Sequence, residues 1–222
     1  MKKVLVACIG IILLSGCASQ SFDPNRYSGF LTQAHYEKLK TAKLPSNQIV
    51  YRYISLDFDP QNYDKVIIEP VVAFPKPKPT ENVSEETLLT LQSKLTQLLK
   101  DEVNKVIPVT NTEGEGVLRV EIAITGVDIS DEGLAFYEYI PTALVLAGAS
   151  KVTGIRDQDV KVFLEGKVTD SVTNEVLAAG VREISGEELE NAREKLQAEQ
   201  LNEGLLGAGK DLASVMKKLL GR

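Results

Sequence analysis

The sequence has no tryptophan, one histidine (His35), two cysteines and only 6% aromatic residues. A lone histidine cannot build a histidine-rich metal site, and any Ser/His/Asp triad would rest entirely on His35. Isolated polar side chains usually pack or face water, so His35 is not expected to act chemically. Also missing are a His-Glu-x-x-His pair, a Gly-x-Ser-x-Gly elbow and a glycine-rich phosphate loop. The apolar runs at 4–14 and 140–149 fall well short of the roughly 20 residues needed to cross a bilayer. Basic side chains are no more plentiful: 25 Lys and Arg against 31 Asp and Glu give a net charge of −6 with no dense basic stripe. Nucleic-acid binding draws its affinity from cationic contacts to phosphates, so it is excluded as a role.

What is present begins with an address. Met1-Lys2-Lys3, the apolar run 4–14 and small residues follow the order of a secretory signal. Leu14-Ser15-Gly16-Cys17 resembles the lipobox of bacterial lipoproteins, which implies cleavage between Gly16 and Cys17 and acylation of the Cys17 thiol and its new amino group. Several acyl chains anchor a protein stably, because each buried methylene contributes about 0.8 kcal/mol. Removing residues 1–16 leaves 206 residues, takes away Lys2, Lys3 and Cys8, and moves the net charge to −8. With Cys17 consumed, no thiol remains for a disulfide, and stability must come from a core. Ala18 and Ser19 follow Cys17 in place of an inner-membrane retention aspartate. The expected location is therefore the inner leaflet of the outer membrane, facing the periplasm.

Hydrophobic residues at 43% and charged residues at 25% are ordinary globular values. Residues 17–47 read as a lipidated tether and docking segment, and 48–222 as a single domain ending in one or two helices. Alternation predicts strands near Tyr51-Arg52-Tyr53-Ile54, in 65–74 with a break at Pro70, at 106–109 and over 117–129, and a hairpin from 160–168 and 176–184 about Asn174. Ser84 with Glu85 and Glu86 caps a helix whose stripe is Leu88, Leu91, Leu95, Leu98 and Leu99. Ser185 and Glu188 have capping-box spacing, with Leu189, Ala192 and Leu196 continuing a stripe. Gly204, Gly207 and Gly209 are expected to weaken or bend the helix before Leu205, Ala208, Leu212, Val215 and Leu219 resume it. The fold class is α+β: a mixed, mainly antiparallel sheet with helices packed on one face.

Several segments in order resemble the Gram-negative lipoprotein family catalogued as domain of unknown function 3313. They are Cys17, Tyr27-Ser28-Gly29-Phe30-Leu31 with Tyr36 and Leu39, and Asn62-Tyr63-Asp64-Lys65-Val66-Ile67-Ile68-Glu69-Pro70. The stretch 118–125, Pro141 through Lys151-Val152-Thr153-Gly154, and the hairpin 160–178 complete the likeness. Asn174 stands where related hairpins often carry Gly. The resemblance implies an exported, lipid-anchored domain with no assigned activity.

The remaining chemical candidates are weak. Ser214-Val215-Met216-Lys217 has Ser-x-x-Lys spacing without its companion elements. Asp57, Asp59 and Asp64 cluster near the turn, but an EF-hand needs Gly and Glu where Asn62 and Ile68 stand. Asp128, Asp131 and Glu132 read as solvated carboxylates. Two apolar features are candidate interaction surfaces: 140–149, with Leu144, Val145 and Leu146, and the terminal helix, with Leu212, Val215 and Leu219 beside Lys210, Lys217 and Lys218. The leading expectation is a non-enzymatic periplasmic adaptor that needs no cofactor or metal, is attached to the membrane through Cys17 and binds an envelope protein. The alternative is a carrier or sensor of an apolar small molecule or lipid, in a cavity lined by 140–149 and the sheet. A third is an enzyme using only Asp, Glu, Tyr and Lys, as glycan-cleaving enzymes can.

Overall fold

The computed structural model describes residues 28–130, 146–147, 157–191 and 193–221. Gly16, Cys17, Leu144, Val145, Asp131, Glu132 and Ala192 lie outside the described residues, and Leu146 enters only as a strand residue.

The sheet is built around β5 (Val117–Ser130), whose alternation of Leu118, Val120 and Ile122 against Arg119 and Glu121 buries one face. On one side β5 pairs antiparallel with β7 (Asp159–Asp170), which forms a hairpin with β8 (Val176–Ser185). The hairpin turn is held by Asp170, whose Oδ1 accepts from the backbone N–H of Val172 at 2.9 Å and of Thr173 at 2.8 Å. Asn174 closes it at φ 59°, a left-handed conformation that Asn tolerates. Beyond β8 come β2 (Ile49–Ile54) and the edge strand β1 (Lys40–Lys43), both antiparallel. On its other side β5 pairs in parallel with β3 (Lys65–Ile68), β4 (Val72–Ala73) and β6 (Leu146–Ala147). Pro70 lies in the gap between β3 and β4, as a residue without an N–H must. The main path is β1-β2-β8-β7-β5-β3, the mixed and mainly antiparallel sheet expected for an α+β fold.

Two long helices cover one face. In α2 (Glu85–Val103), Ser84 Oγ accepts from Thr87 N–H at 3.0 Å, and the buried stripe is Leu88, Leu91, Leu95, Leu99 and Val103. Helix α3 (Asn202–Leu219) follows a 3₁₀ turn, Ala198–Leu201, that opens with a reciprocal cap between Gln197 and Gln200. Among the described residues no helix is long and apolar enough to cross a membrane. On the opposite face, Leu31, Leu39 and the short helix α1 (Gln33–Tyr36) bury Tyr36 against Ala179 and Val181. The docking segment is thus continuous with the domain: Leu31, Tyr36 and Leu39 are core residues, and residues 40–43 form a strand.

Three expectations are corrected. No helix starts at Ser185; this residue ends β8, and Leu189 exchanges backbone hydrogen bonds with Gln158 at 2.7 and 2.9 Å. Leu189 and Leu196, both fully buried, stand on either side of a turn in which Glu194 N–H donates to the Asn191 carbonyl at 3.1 Å. The 106–109 stretch makes one bridge, Val66 to Val109, and no strand. The glycines of α3 do not interrupt it, because two of them let the helix sit close to its neighbours. A Cβ on Gly204 would lie 2.5 Å from the Ser185 carbonyl oxygen, and one on Gly209 would lie 3.2 Å from that of Leu98 in α2.

Candidate functional site

A helix packs about 10 Å from its neighbour while strands lie about 4.8 Å apart, so two helices cover roughly four strands. Here α2 touches β3 and β4, and α3 touches α2 and β8. Among the described residues, that leaves the β2 and β1 side of the six-strand path uncovered by helix on this face. Between α3 and this part of the sheet runs an apolar groove of about 200 Å³.

Its floor follows from register. Directly opposed residues of antiparallel strands share a face, and one row across the sheet reads Lys40, Arg52, Gly180, Gly166 and Ile122. The next row is Ile54, Ala178, Val168 and Val120. Two glycines opposed at the centre, with Ala178 beside them, remove the side chains that would otherwise meet α3. Glycine inside a strand weakens it, so its presence marks a bulge or a place where space is needed. No register shift separates Gly166 from Gly180. An added Cβ would lie 3.2 Å from Ile122 Cγ1 at Gly166 and 3.3 Å from the Tyr51 carbonyl oxygen at Gly180, so the neighbouring strands approach closely here and the two positions send no side chain toward α3.

The wall opposite the floor is α3. Leu212, Val215 and Leu219 are half-buried and line the groove, with Met216 deeper and Leu95 and Leu99 of α2 at the inner side. One end is tied by charge. Asp211, only 4% exposed, pairs with Arg182 of β8 at 3.2 Å and accepts from Ser46 Oγ at 2.9 Å. Arg182 also donates through Nη2 to Gln48 Oε1. The β1–β2 turn, left-handed at Asn47 (φ 69°), is thereby fastened to α3. Burial pushes the Arg182 guanidinium pKa down, against the upward pull of Asp211. A bound partner for a buried charge is what makes its burial tolerable.

A second polar cluster lies on the other face. Tyr36 Oη donates a short hydrogen bond to Glu165 Oε2 and lies 3.2 Å from Ser28 Oγ. Burial, first, raises the Glu165 carboxyl pKa, and its hydrogen bonds from Tyr36, Ser28 and Thr125 oppose that shift. Tyr36 is raised too, by burial and by Glu165. This cluster staples the docking segment to the sheet.

The other sequence candidates stay apart. His35 Nδ1 sits 2.9 Å from Thr32 Oγ1 near the surface, with its pKa lowered by burial and by Lys38. Asp59 caps the 3₁₀ turn Pro60–Asn62 through Gln61 N–H at 3.0 Å. Asp57 is exposed, and Asp64 is 4.0 Å from Lys65. Lys217 is exposed on α3 and Ser214 is half-buried. Among the described residues no three His, Cys, Asp or Glu side chains gather as a metal site would require. The groove is not the cavity expected over 140–149. That segment's described residues, β6, pair with Val127 and Asp128 of β5 on the side away from β7 and β8. Gly166, Gly180, Ala178, Arg182 and Asp211 were missed, although strand glycines at 166 and 180 were a readable signal.

Comparison with known proteins places the chain. The profile of the family described as protein of unknown function (DUF3313) matches residues 26–212. The uncharacterized lipoprotein YdcL of Escherichia coli K12 is 35% identical over 201 residues, covering 90% of this chain and 89% of YdcL. Among solved structures, the PelC dodecamer of Paraburkholderia phytofirmans shares 8% identity with a TM-score of 0.34, over 78% of this chain and 97% of PelC. Protein XCC0632 of Xanthomonas campestris shares 13% identity with a TM-score of 0.39, over 73% of this chain and 89% of that one. The profile match over most of the chain, together with the YdcL relationship, shows that the chain belongs to the DUF3313 family, which includes a lipoprotein and has no assigned function.

Proposed function

We propose that this protein is a non-enzymatic binding module of the cell envelope, held by lipid on Cys17 at the inner leaflet of the outer membrane, whose groove takes one apolar chain from the periplasmic side. The observation that carries the reading is the pair of opposed strand glycines, Gly166 and Gly180, beneath a helix wall of Leu212, Val215 and Leu219. With no side chain rising from these two positions, the floor beneath α3 stays low and apolar. Size narrows the guest. An engineered apolar cavity of about 150 Å³ takes benzene, and sites for drug-sized ligands begin near 300 Å³. At about 200 Å³ the groove suits one narrow hydrocarbon. A protein-docking adaptor has less support: among the described residues the exposed large apolar side chains Ile49, Leu56, Val72, Leu89 and Val172 belong to different elements and turns of the fold.

The test uses the mature chain carrying Cys17→Ser and the neutral probe N-phenyl-1-naphthylamine. The expected result is a saturable fluorescence rise that Ala178→Leu abolishes with its circular dichroism and thermal midpoint retained. No saturable rise, or an equal one in Ala178→Leu, ends the reading.

A further inference from the structure

The sheet neutralises its half-buried cations. Lys167 of β7 reaches Glu121 at 3.1 Å, Lys161 reaches Glu183 at 3.5 Å, and Arg182 reaches Asp211 at 3.2 Å. Arg52 breaks the pattern. It is half-buried and lines the groove, one strand out from Gly180, yet among the described residues no carboxylate lies within ion-pair distance of it. Its cross-strand partner is another cation, Lys40, which is exposed at the mouth of the groove and, among the described residues, also has no carboxylate within ion-pair distance. Like charges directly opposed on a sheet repel. The chain has 31 acidic side chains against 25 basic ones, so leaving half-buried Arg52 unneutralised is not a shortage of carboxylates.

We infer that the guest of the groove is a single-chain lipid with a phosphate monoester head, its hydrocarbon against Gly166, Gly180 and Leu212 and its head held by Arg52 and Lys40. The inference rests on the apolar-chain reading of the groove and adds the head. Both cations lie on the two outermost strands at the β1 end of the sheet, beyond the helices among the described residues, where a charged group stays in water while its chain is buried. The planar guanidinium of Arg52 offers two parallel donors to phosphate oxygens, and Lys40 supplies a second charge. A phosphate monoester carries nearly two negative charges at neutral pH and matches both cations, whereas a carboxylate matches one.

Displacement of N-phenyl-1-naphthylamine by dodecyl phosphate, dodecanoate and dodecanol, each below its micelle concentration, tests the assignment on the mature Cys17→Ser chain. Dodecyl phosphate is expected to displace the probe at roughly ten-fold lower concentration than dodecanol, with dodecanoate between them. Raising the ionic strength narrows the gap. Arg52→Gln removes most of the preference, Lys40→Gln removes part of it, and Arg52→Lys keeps most of it, which a purely packing role for Arg52 would not produce. If the probe never binds, the groove reading fails and this inference falls with it. If the probe binds but dodecanol competes as well as dodecyl phosphate, the groove stands and the anionic head is wrong. Dodecanoate equal to dodecyl phosphate overturns the phosphate assignment. So does an undiminished preference in Arg52→Gln. Probe binding that vanishes in the lipidated wild-type chain in nanodiscs assigns the groove to the protein's own anchor and overturns the inference as well.

Discussion

Gly204 and Gly207 lie three residues apart in α3, and the same substitution should act on them with opposite sign. Alanine is favoured over glycine in a helix interior by about 1 kcal/mol. At Gly207 nothing lies within 4 Å of an added Cβ, so Gly207→Ala should keep most of that gain, about 0.5–1 kcal/mol. At Gly204 the methyl would stand 2.5 Å from the Ser185 carbonyl oxygen and 3.5 Å from Ile184 Cβ. The near atom is backbone at the end of β8 and cannot rotate away, so α3 must shift off the sheet. Overpacking of this kind costs about 1–3 kcal/mol, and here it outweighs the propensity gain. Gly204→Ala should lose about 1–2 kcal/mol net. For a chain of this length each kcal/mol moves the thermal midpoint by about 2–4 °C. Thermal and urea unfolding of the mature chain, followed by circular dichroism, should therefore show Gly204→Ala several degrees lower and Gly207→Ala a few degrees higher. A neutral or stabilised Gly204→Ala would mean that α3 does not sit against β8 as described. The groove it walls would then have to be redrawn.

Two further outcomes follow from the polar clusters. Asp211→Ala leaves Arg182 buried without its carboxylate and should cost about 3 kcal/mol in urea unfolding, while Arg182→Met combined with Asp211→Leu should recover more than half of it. Equal losses in the single and double variants would show that the pair is not coupled. Burial holds the Glu165 carboxyl pKa above the ordinary carboxylate range, so the folded state binds a proton the unfolded state releases, and this residue's contribution to stability falls as pH rises from the ordinary value through the raised one. Glu165→Gln should flatten that fall, giving a higher thermal midpoint than wild type at pH 8 and little difference at pH 4, whereas a lower midpoint at pH 8 would refute the assignment.

Much of the fold was legible because its signals are local. Ser84 caps α2, the β5 alternation marks one buried face, and Asn174 turns the β7–β8 hairpin as its tolerance of positive φ allows. The errors came where one local pattern serves two structures. Ser185 and Glu188 have the spacing of a cap, but Ser185 is held in the β8 ladder opposite Lys161, and Leu189 pairs with Gln158 across the chain. Apolar spacing there reports burial and not helix. Propensity alone makes the α3 glycines helix breakers, and it omits what stands opposite: for Gly204 it is a strand carbonyl, and only tertiary structure brings it there.

The groove was less legible for a related reason, and its ingredients were nonetheless in the sequence. Leu212, Val215 and Leu219 recur at helical spacing, which says that one face is apolar and not what covers it. Gly166 and Gly180 stand in strands that otherwise read as good β formers, and each alone reads as a small flaw. Register makes them one feature, because the β7–β8 pairing sets them face to face and the β2–β8 pairing sets Arg52 beside them. Moving the β7–β8 pairing by one residue would turn the glycines to opposite faces of the sheet and abolish the floor, and moving the β2–β8 pairing by one would send Arg52 to the Tyr36 side and abolish the cation. The site is therefore a property of register. The hairpin turn at Asn174 and the Arg182–Asp211 pair, which tie that register and α3 in place, matter to the groove without facing its guest.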